Sequence, residues 1–401
     1  MWDEIDESYS DGLGIPKGEA FRKAVEQRPA MKKPSGYPGH ILRSSHYLKL
    51  LLLTFFGHEM APSSFLDDYS EGAHPKILQA LLDTNIPQQR PYGDDEYSDA
   101  AKECIREYIN APTAAIHFVA SGTLANIISI GSCLRPHEAL IAPSTGHIFV
   151  RETGAIEAIG HKIITVPPSD GKLTPKSIQD ALDQNAHFPH MAKPRLVYLS
   201  NATEVGTVYT KAELCAISDL CKERNLLLFL DGARLGVALS AVKNDLTLAD
   251  LVRLTDIFWI GGTKVGTLLG EAIIINNSSL AEDFAFHVKQ RGGLLAKGRT
   301  LGVQFLELFR SNLFFELARH ANKMAQLLSS GVVEAGFSLS AETETNQIFA
   351  ILPNALISKL QNEFQFYIWE KFSCDHAVVR LVTSWATSES QVITFIDKLR
   401  R

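Results

Sequence analysis

Two apolar runs, each ending in small and charged residues, carry the groups best suited to chemistry. They are Leu226-Leu-Leu-Phe-Leu-Asp-Gly-Ala-Arg-Leu-Gly236 and Asp256-Ile-Phe-Trp-Ile-Gly-Gly-Thr-Lys-Val-Gly266. A short uninterrupted apolar run reads as a strand buried on both faces, and the carboxyl ends of such strands are where an open α/β sheet holds its ligands. The first run delivers Asp231 and Arg234, the second Lys264. An acid, a guanidinium and a lysine converging at strand ends match the needs of pyridoxal phosphate chemistry. There a lysine forms a Schiff base with the cofactor aldehyde, and a carboxylate keeps the pyridine nitrogen protonated so that the ring accepts electrons. Each motif alone is also an ordinary turn, Asp-Gly or Gly-Gly with a solvated lysine. Their order, and a third motif upstream, favour the cofactor.

That third motif is Ser121-Gly-Thr123, set between an apolar stretch at 114–120 and a helical stretch at 124–134. Strand, small polar turn and helix start together form an anion cradle, since free amides and the helix dipole favour phosphate. Serine and threonine also cap helices for structural reasons alone. His147 follows the short strand 139–142, and its alternatives are a satisfied buried histidine or a ring lying flat on a cofactor.

The elements that must position these residues alternate along the chain. Apolar strands at 114–120, 139–142, 162–166, 195–199 and 272–276 are interspersed with helices at 76–84, 99–108, 124–134 and 212–224, which predicts a mainly parallel, doubly wound sheet. Helix-like spacing over 301–329 predicts one long helix leading to a smaller C-terminal α+β domain. Its strands are expected at 347–352 and 377–382, its helices at 353–362 and 389–400. The domains are therefore expected at 64–330 and 331–401. Residues 1–63 form an extension, polar and aperiodic except for the apolar run 48–56, which is too short to span a bilayer. A chain begun at Met60 is expected to fold and act.

A chain of 401 residues, 45% hydrophobic, is long enough for one large and one smaller domain. Its net charge of −6 offers no basic field for nucleic acid, and no segment predicts membrane insertion, so the expected partner is a small molecule. The cysteines (Cys104, Cys133, Cys215, Cys221, Cys374) are odd in number and lack a C-x-x-C pair, which suggests free thiols in a reducing, cytoplasmic setting and no metal site.

From about Phe65 onward the chain resembles the low-specificity L-threonine aldolase and β-eliminating lyase group of fold-type I pyridoxal phosphate enzymes. The resemblance rests on Asp68-Tyr-Ser-Glu-Gly-Ala-His-Pro75, Tyr92-Gly-Asp-Asp-Glu-Tyr97, Ser121-Gly-Thr123, Gly146-His147 with Glu152-Thr-Gly-Ala155, Ser200-Asn-Ala-Thr-Glu-Val-Gly206, Asp231-Gly-Ala-Arg-Leu-Gly236, Gly261-Gly-Thr-Lys264 and Arg380-Leu-Val-Thr-Ser384. It implies Lys264 as the Schiff-base lysine, Asp231 at the pyridine nitrogen, Arg234 beside the ring hydroxyl, Ser121, Gly122 and Thr123 on the phosphate, and His147 stacked on the ring. It further implies Arg380 and Ser70 as substrate contacts, Arg380 gripping the α-carboxylate through its planar fork. Tyr92 would come from a second subunit of a homodimer or homotetramer with shared sites. The implied reaction splits a β-hydroxy-α-amino acid such as threonine into glycine and an aldehyde. β-Elimination or transamination are the alternatives within the same chemistry, and a silent cofactor-binding protein is the alternative outside it. Two positions depart from the pattern: Asp67 stands where many relatives have serine or asparagine, and the best-known threonine aldolases have a histidine where this chain has Glu204, a carboxylate that serves as a base if burial raises its pKa.

Overall fold

The computed structural model describes residues 63–400; the predicted extension, but for its last residue Ser63, and its apolar run at 48–56 lie outside them. In chain order the strands are β1 Ser63–Ser64, β2 Ala115–Val119, β3 Glu138–Pro143, β4 Lys162–Val166, β5 Lys193–Ser200, β6 Leu227–Asp231, β7 Ile257–Gly261, β8 Glu271–Ile275, β9 Ser338–Leu339, β10 Gln347–Pro353, β11 Phe364–Gln365, β12 Tyr367–Lys371 and β13 His376–Val382. Seven make the large sheet, in the order β2-β8-β7-β6-β5-β3-β4. Pairing is parallel from β4 across to β7, and β8 runs antiparallel to both of its neighbours. The chain has the mainly parallel α/β architecture that its pattern predicts.

Every residue of β6 and β7 is buried, which is why both read as unbroken apolar runs rather than as alternations. Successive side chains serve opposite faces. Leu228, Leu230, Phe258 and Ile260 enter one core, while Leu227, Phe229, Ile257 and Trp259 enter the other. The helix expected over 301–329 is two helices, Arg299–Arg310 and Leu313–Glu334. Asn312 separates them in a left-handed conformation (φ 60°), which asparagine tolerates better than most side chains and which a continuous helix cannot include. The second helix joins the two layers. Its Leu313, Phe314 and Leu317 pack under the large sheet, and its Met324, Leu328 and Val332 pack under the small one.

The smaller sheet is antiparallel, in the order β12-β13-β10-β9. The first described residues lie beside it, in a separate two-stranded sheet. β1 pairs in parallel with β11, the Phe65 N–H donates to the Gln365 carbonyl at 2.8 Å, and the Val382 N–H donates to the Phe65 carbonyl at 2.8 Å. The Phe65 ring is fully buried, 5.3 Å edge-on from Phe395. Residues 63–65 thus pack with the C-terminal layer, although the sequence assigns everything from 64 to the larger domain. No linear pattern reveals a two-residue strand that pairs about three hundred positions away. Among the described residues no helix is long and apolar enough to cross a membrane.

Replacing Phe65 by alanine removes a ring from this closed core and should cost about 3–5 kcal/mol. Urea unfolding of the purified variant reads the loss directly.

Candidate active site

The carboxyl ends of β2, β3, β5, β6 and β7 meet at one edge of the large sheet. Because β8 runs the opposite way, its first residue, Glu271, opens at that same edge. A cavity of about 450 Å³ lies there, lined among others by Ser121, Gly122, Thr123, His147, Asp231, Lys264 and Glu271. A cavity of similar size at Arg195, Asn225 and Asp256 lies around the starts of β6 and β7, away from these groups.

At one end of the site, Ser121 caps the helix Gly122–Cys133, its Oγ accepting from the Leu124 N–H at 3.4 Å. Gly122 is required by packing: a Cβ there would stand 2.9 Å from the Trp259 ring. The same tryptophan orients the next polar group, its indole N–H donating to Asn126 Oδ1 at 3.1 Å. Asn126 is therefore bound to present its amide N–H groups outward, to Glu152 Oε1 at 2.8 Å and Asp231 Oδ2 at 3.0 Å.

Asp231 is 3% exposed and accepts two further hydrogen bonds, from Tyr198 Oη at 2.8 Å and from the Ala233 N–H at 2.9 Å. Three donors hold the carboxylate in one orientation, and its remaining lone pairs can receive a ring N–H from the cavity. The turn after it depends on Gly232, where a Cβ would lie 1.8 Å from the Trp259 carbonyl oxygen.

Lys264 follows β7. Burial, reinforced by the Arg234 charge, lowers its amine to about 8 against the pull of Asp68, Asp231 and Glu271. Glu271 braces the lysine loop: Oε2 accepts from the Gly262 N–H at 2.9 Å and Oε1 from Thr263 Oγ1 at 2.8 Å. Burial raises its carboxyl to about 7 despite those hydrogen bonds. Arg234 makes a bidentate pair with Asp68, Nε to Oδ2 at 2.8 Å and Nη2 to Oδ1 at 2.9 Å, and Asn346 Nδ2 donates to Asp68 Oδ2 at 2.9 Å. Burial pushes the Asp68 carboxyl up, but the charges of Arg234 and Lys264 outweigh it and hold the group below the usual carboxylate range. Arg380 has no carboxylate partner among the described residues. Its Nε donates to Gln347 Oε1 at 3.1 Å, and its guanidinium lies 5.4 Å from the Trp369 ring centre. Burial and then the Arg234 charge bring it down to about 10.

On the far wall, His147 Nδ1 is 2.7 Å from Glu152 Oε1, and its backbone N–H donates to Glu204 Oε1 at 3.0 Å. Ser200 Oγ lies 2.6 Å from the same Glu204 oxygen. Burial raises the Glu204 carboxyl above its usual range.

Ser121, Gly122, Thr123, His147, Asp231 and Lys264 thus line one cavity. Glu204 adjoins it through His147, and the Asp68-paired Arg234 is close enough to lower both the Lys264 amine and the Arg380 guanidinium. Two predicted residues stand apart. Ser70 is exposed and donates to Asp67 Oδ1 at 2.8 Å, and Tyr92, 42% exposed, lies outside its own chain's cavity with Lys289 Nζ 4.6 Å from its ring centre.

A family model described as beta-eliminating lyase matches residues 67–355. The chain belongs to the beta-eliminating lyase family. Within this family it is 35% identical over 337 residues to a low specificity L-threonine aldolase of Pseudomonas sp. (strain NCIMB 10558), covering 82% of this chain and 94% of that one. A solved threonine aldolase structure from Leishmania major superposes with a TM-score of 0.84 at 49% identity, over 85% of this chain and 99% of that one. An aspartate aminotransferase of Thermus thermophilus shares the fold alone, with a TM-score of 0.64 at 15% identity over 88% and 94% of the two chains.

In this beta-eliminating lyase, Asp68, Asn126, Tyr198, Ser200 and Glu271 are site residues that sequence reasoning misses. Asp68 opens the Asp68–Pro75 motif, and its only signal there is an acid preceding a turn. Asn126 and Tyr198 look like interior helix and strand residues until the fold aims them at Asp231. Changing Asp68 to asparagine leaves the buried Arg234 without its counter-charge and should cost about 3–5 kcal/mol at neutral pH. Since folding lowers the Asp68 pKa, that contribution is complete above the unfolded value near 3.8 and is lost as pH falls below it. The gap between wild type and variant in urea unfolding should therefore narrow in strong acid.

Proposed function

We propose that this chain is a pyridoxal-phosphate-dependent lyase that splits threonine or allo-threonine between Cα and Cβ, giving glycine and acetaldehyde. The observation that carries the proposal is one cavity holding a buried lysine of lowered pKa, a carboxylate fixed by three donors and a capped helix N-terminus, in a chain related to threonine aldolases. The residues fit the cofactor. Ser121, Gly122 and Thr123 would hold its phosphate through helix amides and hydroxyls, Asp231 its ring nitrogen, and His147 its face, while Lys264 would bind its aldehyde. When bound, the cofactor supplies an electron sink for the pair released from Cα.

The protein's own groups do the rest. Arg380, without an acid partner among the described residues and held by Gln347 and Trp369, offers its fork to the substrate carboxylate. Glu204 takes the proton of the substrate hydroxyl as the Cα–Cβ bond breaks and the aldehyde departs. Its carboxyl is buried, and burial raises its affinity for a proton. The free Lys264 amine would hold and return a proton at Cα, a task suited to an amine near 8. Tyr92 completes the site of a second copy in a homodimer or homotetramer, a reading supported by its exposure away from its own cavity.

Incubation of the purified protein and cofactor with threonine and allo-threonine should yield glycine and acetaldehyde in equal amounts. Ammonia with a 2-oxo acid would instead indicate β-elimination. Glu204→Gln should slow aldol cleavage by roughly 10²–10⁴-fold while exchange of the glycine α-proton continues, and equal loss of both would remove Glu204 from the proton transfer.

A further inference from the structure

Two side chains, Ser200 and Tyr198, join the Glu204 carboxyl to the Asp231 carboxyl without a gap. Glu204 Oε1 and Ser200 Oγ are 2.6 Å apart, Ser200 Oγ and Tyr198 Oη 3.2 Å, and Tyr198 Oη donates to Asp231 Oδ2 at 2.8 Å. Ser200, Tyr198 and Asp231 are each buried. Ser200 and Tyr198 sit at i and i+2 on β5, on the same face, and Ser200 pairs with Asp231 across to β6, so the strand register places the chain of contacts.

A hydroxyl has one proton to give, and this limits the possible arrangements. The Tyr198 proton is committed to Asp231, so the Tyr198 oxygen can only accept from Ser200. If Ser200 donates to Tyr198, the 2.6 Å contact with Glu204 is a hydrogen bond only when Glu204 Oε1 carries a proton and donates it. If Glu204 is ionised, Ser200 turns to it, and Tyr198 loses its donor. A proton on Oε2 would be a buried donor with nothing to bond, since that oxygen has no partner among the described residues.

We propose that Ser200 and Tyr198 are positioning residues forming a two-state hydrogen-bond relay, through which the protonation of Glu204 sets how strongly Tyr198 donates to Asp231. In the protonated state every hydroxyl points toward Asp231 and each bond polarises the next; in the ionised state the run is broken at Ser200. No proton crosses the relay; only the one on Glu204 comes and goes. The groups facing Glu204 allow both states. Burial and the Asp231 charge favour the protonated form, while Ser200 and the His147 N–H favour the ionised form. Arg234 lies within electrostatic reach, and the His147 ring is engaged by Glu152. In the lyase reading, on which only this consequence rests, Glu204 gains its proton as the electron sink is needed, and the relay then supports the Asp231 side of the site.

The test reads the Glu204 carboxyl itself, by infrared difference spectra of the holoenzyme against Glu204→Gln across pH. Tyr198→Phe deprives Ser200 of its second acceptor, favours its bond to ionised Glu204 and should lower the Glu204 titration by about one pH unit, the scale of one hydrogen bond. Ser200→Ala removes that bond and should raise it by a similar amount, whereas Ser200→Thr keeps the hydroxyl and should titrate as wild type. A general packing disturbance would not produce opposite signs. Shifts of the same sign, or no shift in Tyr198→Phe, would overturn the relay. The apoprotein gives the same reading for any variant that loads cofactor poorly, because the three contacts are within the chain. Failure of the lyase reading would appear in the product assay and leave these shifts unchanged.

Discussion

Charge burial governs the carboxyl edge of the large sheet. Asp68, Asp231 and Glu271 are each almost fully buried there, beside Arg234 and Lys264, and a buried charge persists only if opposite charge or directed dipoles compensate it. Asp68 and Arg234 neutralise each other in a bidentate pair. Asp231 is held by neutral donors from Asn126, Tyr198 and Ala233, and Glu271 by Thr263 and a backbone amide. Lys264 and Arg380 are the cations left incompletely answered, and in both burial works against the charge. An amine poised to lose its proton and a guanidinium awaiting an anion are what remain after the other charges are paired.

Trp259 translates that electrostatic arrangement into geometry. Its ring closes on Gly122, its indole N–H turns Asn126, and its carbonyl oxygen sits against Gly232. A single buried residue on β7, through its side chain and its backbone carbonyl, thereby sets the distance between the helix terminus and the Asp231 turn. Glycine at 122 and 232 is dictated by close approach, with no need to invoke backbone flexibility.

Much of this arrangement is legible in the amino-acid sequence. The apolar runs of β6 and β7 mark central strands because both faces are buried, and the residues just beyond such strands in an α/β sheet face the ligand. Asp231, Lys264 and Ser121 can be named on that ground. Glu271 cannot: it stands at the start of its strand, and it reaches the site only because β8 runs antiparallel, a direction that the sequence of β8 does not encode. Asp68 and Tyr198 are hidden for a related reason, since their partners lie 166 and 33 residues away. The single helix expected over 301–329 fails at Asn312, where the apolar spacing continues but the backbone turns left-handed.

The central claim is that Lys264 is the one amine this cavity presents to the cofactor aldehyde. Loading the purified full-length protein with pyridoxal phosphate, reducing it with borohydride and mapping the digest by mass spectrometry tests that claim without reference to any substrate. The pyridoxyl group is expected on the peptide containing Gly261-Gly-Thr-Lys264. A label on Lys289 or another lysine, or unmodified Lys264 in a protein that has retained the cofactor, would contradict it.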